Sequence, residues 1–402
     1  MIARQETPLQ AIQELVAEAI DLRRLETGRK RQELVLQGAR PDYAPLLLGH
    51  THLFVGNVKE DRSFKLGDHL LTGGLPTPEI EDYPHFTSEE QISSPKIMLY
   101  EALWEVLGWA RTPSDTQLSV RPNLIFLIPT CFGMRYRLTE DGTAYFPNPI
   151  SIDQALNASL EHPESLGEMP RVIECLDFFR QNVPEGVRIE CPIAVGPLSL
   201  IDQLLGEHVW TLFYEQPEKI RTLLDKVTSL LIRLLCRFKE AVDEPVDSAA
   251  IGPLHLSRGG AKIGSDSLVM LSPRMFEDFI LPAIQRMCHE FKGACHHSCG
   301  FYPKHLKLLN NTPGLTVINF GQPELWEMAS AVREMHESGK VYYGGWQRLP
   351  GEPIEAYLRR GVELCGPMRN RAVLSAKGEG PWPAPEKIMD MWQRLQDEMF
   401  PV

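Results

Sequence analysis

From Pro8 to about Gly38 the apolar positions Ile12, Leu15, Val16, Ala19 and Ile20 recur at helical spacing with charges between them. That spacing predicts a helical N-terminal arm, residues 1–40. Beyond it, short apolar or β-branched runs recur, each closed by Gly, Pro or polar residues and followed by an amphipathic helical stretch. Such alternation is the mark of βα units. Eight runs qualify as strands: Ala44–His52, Leu124–Thr130, Val187–Ile193, Val246–Pro253, Lys292–Gly300, Thr316–Phe320, Lys340–Trp346 and Ala372–Gly380. Helices are expected from Glu215 to about Val242, from Pro273 to Phe291, from Tyr302 to Leu309 and from Pro353 to Leu364. Eight units in one chain predict a single (β/α)8 barrel over residues 41–402 in preference to an open doubly wound sheet. The long connections Leu53–Asn123 and Cys131–Gly186 are expected to cover the barrel mouth.

Composition narrows the partners. With 53 acidic against 41 basic residues and a net charge of -12, the field offers no attraction for nucleic acid or anionic lipid. The start Met-Ile-Ala-Arg-Gln-Glu-Thr-Pro lacks the basic residues and apolar run of a secretory signal, so a cytoplasmic location is expected. No apolar run approaches the roughly 20 residues that cross a bilayer. The eight cysteines are spread along the chain and read as reduced thiols and possible ligands, not as a disulfide framework.

Candidate chemistry concentrates where barrel enzymes keep it, at the carboxyl ends of the strands. On a strand, residues i and i+2 share a face, so His297 and Cys299 would present an imidazole and a thiolate to one point. That is half of a zinc site, which normally has three protein ligands and one open position. Glu379, between Gly378 and Gly380 at the end of the eighth strand, is the leading third ligand, with His50, His52 and Cys295 as alternatives. The same strand ends carry His50, His52, Lys377 and Glu379 as groups able to handle protons in catalysis, and His255 and Asn319 as substrate contacts. Aromatic residues, Phe132 and Trp346 among them, are candidates to line a substrate pocket. Zinc held by one thiolate, one imidazole and one carboxylate is nearly neutral overall and stays a strong Lewis acid.

Four separated stretches resemble the uroporphyrinogen decarboxylase superfamily, and within it the zinc-dependent, corrinoid-linked methyltransferases. They are Gly196–Gly206 continuing into Tyr214–Ile220, Gly264–Pro282, His297-Ser-Cys-Gly300, and Val373–Gly380. The resemblance spans roughly residues 190–395. It implies a (β/α)8 barrel with zinc at its carboxyl end, a small O-, N- or S-methyl compound as substrate, and a methyl group moved to or from a corrinoid (cobalamin) carried by a separate protein. Barrels of this kind often pair as homodimers. Where those methyltransferases place a third zinc-binding cysteine, this chain has Gly378 followed by Glu379. The arginine-rich N-terminal motif of the true decarboxylases has no counterpart in Leu46–His52. A metal-free decarboxylase and a hydrolase using zinc-bound water are the alternative activities.

Overall fold

The computed structural model describes residues 9–48, 86–139, 142–193, 195–377 and 382–401. Eight parallel strand segments form its centre: β1 (Leu46–Leu47), β2 (Ser119–Val120), β3 (Arg188–Ile189), β4 (Ala261–Gly264), β5 (Ala294–Ser298), β6 (Leu315–Phe320), β7 (Val341–Gln347) and β8 (Ala372–Lys377). Strands β4 to β8 and then β1 make one continuous six-stranded ladder, and β2 pairs with β3. Single backbone bonds bridge the two seams. Asp115 N donates to Leu46 O at 3.1 Å, and Gly196 N donates to Gly264 O at 2.8 Å. The result is the expected barrel.

The helices follow the alternation. In chain order they include α1 (Leu9–Ala19), α2 (Leu22–Leu36), α3 (Pro95–Arg111), α4 (Met169–Asn182), α5 (Pro197–Leu205), α6 (Pro217–Ala241), α7 (Leu281–Glu290), α8 (Pro303–Asn310), α9 (Met328–Glu337), α10 (Ile354–Cys365) and α11 (Pro385–Met399). Asp21 starts α2 by accepting bonds from the backbone of Arg23 and Arg24, which satisfies amides that a helix start leaves unpaired. Before α7 the turn Phe276–Ile280 widens to π geometry. Pro282 has no N–H for the carbonyl of Asp278, and Arg221 Nη1 donates to that carbonyl instead at 2.5 Å.

Two of the eight expected strands lie elsewhere. The apolar run Leu124–Thr130 is a turn leading into the 3-10 helix Ile128–Phe132, and the second strand precedes it at Ser119–Val120. Pro122 and Pro129 remove two backbone donors that a central strand would need. The stretch Val246–Pro253 supplies one arm of an antiparallel hairpin, Ala249–Ile251 with Leu254–Leu256, and the fourth barrel strand follows at Ala261–Gly264.

That hairpin floors the barrel. Ile251, Leu254 and Leu256 pack with the inward residues near the amino ends of the strands, Leu47, Cys295, Val317, Val341, Tyr343 and Val373. The buried Gln32 of α2 ties the floor to the arm: its Nε2 donates to the carbonyls of Asp115 and Pro253, and its Oε1 accepts from His255 N. Outward residues such as Ile318, Leu374 and Trp346 pack into the helical layer instead. No described helix is long and apolar enough to cross a membrane.

Candidate functional site

At the other end of the barrel, three donor atoms converge. His297 sits near the end of β5, Cys299 directly follows that strand, and Asp266 follows β4. Their ligand atoms all lie within 4.8 Å of one another. His297 Nε2 is 3.2 Å from Asp266 Oδ1 and 3.8 Å from Cys299 Sγ. Four-coordinate zinc, with bonds of about 2.0–2.3 Å, holds neighbouring donors roughly 3.2–3.8 Å apart. The nitrogen, oxygen and sulfur set therefore fits such an ion.

The surroundings fix each donor. Asn319 lies beside His297 in the β5–β6 register. Its Nδ2 donates to Tyr343 O at 2.6 Å, so its Oδ1, 2.5 Å from His297 Nδ1, accepts the imidazole proton. That assigns the proton to Nδ1 and turns Nε2 toward Asp266 and Cys299. Gln322 does the corresponding work for the thiol. Its Oε1 accepts from Gly300 N at 2.5 Å, and its side chain also hydrogen-bonds Cys299 in the sense that favours the thiolate. Asp266 is placed through the next residue: α5 carries Asp202, which takes a short hydrogen bond from Ser267 Oγ.

Without a cation the thiol keeps its proton. Burial, then the charge of Asp266 and a hydrogen bond to it, push the Cys299 thiol up to about 12, against the opposing bond from Gln322. For Asp266, desolvation of the carboxyl head pushes upward, and the bonds and charge of His297 together with the Cys299 bond outweigh it, leaving the group below its ordinary value. The side chain is still 57% exposed, so this attraction is partly screened. A divalent cation would displace the thiol proton and take the carboxylate, the behaviour of a metal site.

Residues 118–345, more than half of the chain, match the family model described as uroporphyrinogen decarboxylase (URO-D). The chain belongs to the uroporphyrinogen decarboxylase family. Among solved structures, a methyltransferase from Methanosarcina mazei is similar, with a TM-score of 0.56 at 16% identity over 92% of this chain and 98% of that chain. At this identity the likeness speaks for the fold. No curated protein matches.

Within this uroporphyrinogen decarboxylase barrel the sequence-predicted residues separate. His297, Cys299 and Asn319 come together. Asn319 spends both ends of its amide on His297 and Tyr343, so it orients the imidazole where a substrate contact was expected. Cys295, two residues below His297, is buried in the floor cluster. His255 lies on the floor hairpin, beside Glu33 and Arg188, because the segment before it is hairpin and not barrel strand. Trp346 points away from the barrel axis: its indole donates to Tyr357 O at 3.0 Å and stacks on that ring at 4.4 Å, so it packs β7 against α10 and lines no pocket. Phe132 ends the 3-10 helix after β2, half-buried against the core. Lys377 closes β8 opposite Gln347. His50, His52 and Glu379 lie outside the described residues.

Asp266 and Gln322 escaped the sequence reading. Asp266 stands inside the quoted Gly264–Pro282 stretch, two residues past a strand end. With the fourth strand expected at Val246–Pro253, its position at the barrel mouth could not be read.

Proposed function

We propose that this protein is a methyltransferase that moves a methyl group between a small O-, N- or S-methyl compound and a corrinoid carried by a separate partner protein, using a zinc ion held by Asp266, His297 and Cys299. The observation that carries the reading is the convergence of carboxylate, imidazole and thiol at the carboxyl end of the barrel. A methyltransferase of the same fold supports the reaction class, and the fold family supports an enzyme. Glu379, just past β8, is a candidate for a further donor.

Bound zinc would supply Lewis acidity to a substrate heteroatom, which makes a methyl ether or amine a better leaving group. The chain's own residues do the rest. Asn319 keeps the imidazole proton on Nδ1, and Gln322 steadies the sulfur. The Asp202–Ser267 bond holds the loop that carries Asp266. Proton handling at the departing heteroatom falls to the residues expected at the mouth, Lys377, Glu379, His50 and His52.

The test is metal analysis of protein purified without added zinc, paired with methylation of reduced cobalamin by a panel of methyl ethers, amines and thioethers. Expected are close to one zinc per chain and turnover that chelation abolishes and zinc restores. Absence of bound metal, with turnover unaffected by chelation, overturns the role of zinc, and absence of methylation with every compound overturns the proposal and leaves proton-transfer chemistry of the decarboxylase type.

A further inference from the structure

Below the metal donors, the inner wall carries charge that the site does not use. On β4 and β5, Gly264 pairs with His297, and two residues deeper Lys262 pairs with Cys295. Lys262 Nζ lies 3.4 Å from Glu190 Oε1, and Arg121 Nη1 lies 3.3 Å from the same oxygen. The other carboxylate oxygen of Glu190 accepts from Gly252 N at 2.9 Å. Arg121 and Glu190 directly follow the paired strands β2 and β3, so all three side chains come from adjacent walls of the barrel. Exposure is 7% for Glu190, 12% for Lys262 and 21% for Arg121.

Two cations here share one carboxylate. Among the described residues, no other Asp or Glu stands within ion-pair distance of either, and none of these residues accepts a hydrogen bond from Arg121 Nε or Nη2. A surplus positive charge inside a barrel is costly unless an anion balances it. The partial exposure of Arg121 and Lys262 leaves room for that anion to come from solvent. A guanidinium with two nitrogens still open matches the planar geometry of a carboxylate.

We infer that Arg121 and Lys262 bind the carboxylate of the substrate, so that the methylated compound is a small organic anion. Two residues of strand separate this level from His297, roughly 7 Å along the wall. A carboxylate held at Arg121 and Lys262 then places a heteroatom about four carbons away beside Asp266, His297 and Cys299. The assignment of that far end rests on the methyltransferase reading. The anion site itself does not.

Calorimetric titration of zinc-free, full-length protein with 4-methoxybutanoate and with its neutral counterpart 1-methoxybutane tests the inference. The carboxylate is expected to bind at least ~10-fold more tightly, the scale of one charge-assisted hydrogen bond. Arg121→Gln and Lys262→Gln should each remove most of that preference, and Glu190→Gln, which deletes the competing internal carboxylate, should strengthen carboxylate binding several-fold. A purely structural ion cluster predicts the opposite for Glu190→Gln. Equal affinity for the two compounds in the wild type overturns the inference, as does an undiminished preference in folded Arg121→Gln and Lys262→Gln proteins. Carboxylate preference in a chain that binds no zinc would leave the anion site standing and remove the methyltransferase reading. Zinc binding without the preference would do the reverse.

Discussion

Two histidines in the interior of this barrel stand beside carboxylates, one at the mouth and one in the floor, and their neighbours give them different work. In the floor, His255 is clamped: Arg188 donates to its Nδ1, its Nε2 lies 3.2 Å from Glu33 Oε1, and its backbone N–H donates to Gln32. Both ring nitrogens are used and a guanidinium occupies the lone pair, so nothing is left for a metal. At the mouth, His297 meets an amide oxygen on Nδ1 and a carboxylate and a thiol on Nε2. A histidine next to an acidic group is therefore not by itself a ligand. What decides is whether its second nitrogen faces donors that a cation could gather.

The largest expected effect that would break this contrast is at the ligands. Cys299→Ser and Asp266→Asn should each reduce zinc occupancy sharply, Cys299→Ser to background, when metal content is measured after dialysis against a weak chelator. Glu379→Gln in the same assay decides whether a fourth protein donor exists. Retention of full occupancy in Asp266→Asn alongside loss in Glu379→Gln would transfer the carboxylate role to residue 379. His255→Gln should leave occupancy untouched.

Next in size is Asn319→Leu, which removes the oxygen that keeps the imidazole proton on Nδ1. Loss of such an orienting partner commonly weakens metal binding about 10–100-fold, readable by competition with a chromogenic chelator. Asn319→Asp should recover much of the affinity, since a carboxylate accepts the same proton. Failure of that rescue would mean Asn319 matters through Tyr343 alone.

The floor histidine has its own signature, in pH. Burial first, then the charges of Arg188 and Arg29, hold the His255 imidazole down to about 3 from an ordinary 6.5. Its salt-bridge geometry with Glu33 pulls the other way, yet the Arg188 donor on Nδ1 requires the neutral ring, so the downward direction stands. A group neutral in the fold and protonated in the unfolded chain contributes fully above the unfolded value and loses that contribution as pH falls toward the folded one. Between pH 6.5 and about pH 4.5 the loss is roughly 2 kcal/mol. Urea unfolding across that range should show the slope in wild type and a flatter profile in His255→Gln. An unchanged profile in the variant would remove His255 from the account.

How much of this was legible in the sequence depended on which strand a residue belongs to. The alternation that brings His297 and Cys299 to one place is local and needed only β5 to be found. Asp266 depended on β4, and Ala261-Lys-Ile-Gly264 is four residues long with a lysine among them, which no hydrophobic pattern separates from a loop. That lysine belongs there because the barrel interior is charged at this level, facing Glu190. The run Leu124–Thr130 misled in the opposite sense, its continuous apolar character coming from packing of Leu124, Leu127 and Ile128 into the core and not from strand pairing. Trp346 lies three residues past the inward Tyr343, an odd step that turns it to the outside. The parity was readable, but the inward face of β7 was not known until the floor cluster showed it.

Two glycines carry the contrast between mouth and floor to its smallest scale. A Cβ on Gly321 would stand 2.8 Å from Cys299 Sγ and 3.4 Å from His297 Cε1, with no left-handed backbone to strain. Gly321→Ala must therefore displace Cys299, whose Cα also stands 3.1 Å from the added carbon, or the ring by a few tenths of an ångström, and the cost falls on ligand geometry. A few-fold weaker metal affinity is expected, with an altered sulfur-to-cobalt absorption band in Co(II)-substituted protein and a nearly unchanged unfolding midpoint. Gly252, at the tip of the floor hairpin, is the reverse case. Its φ of 53° lies in the left-handed region while a Cβ there would meet nothing within 4 Å. Gly252→Ala should cost about 1 kcal/mol of stability through the backbone and leave the cobalt spectrum as it was. If Gly321→Ala lowered stability and spared the spectrum, the close approach of β6 to the Cys299 sulfur would be packing alone, and the donor geometry would not depend on that glycine.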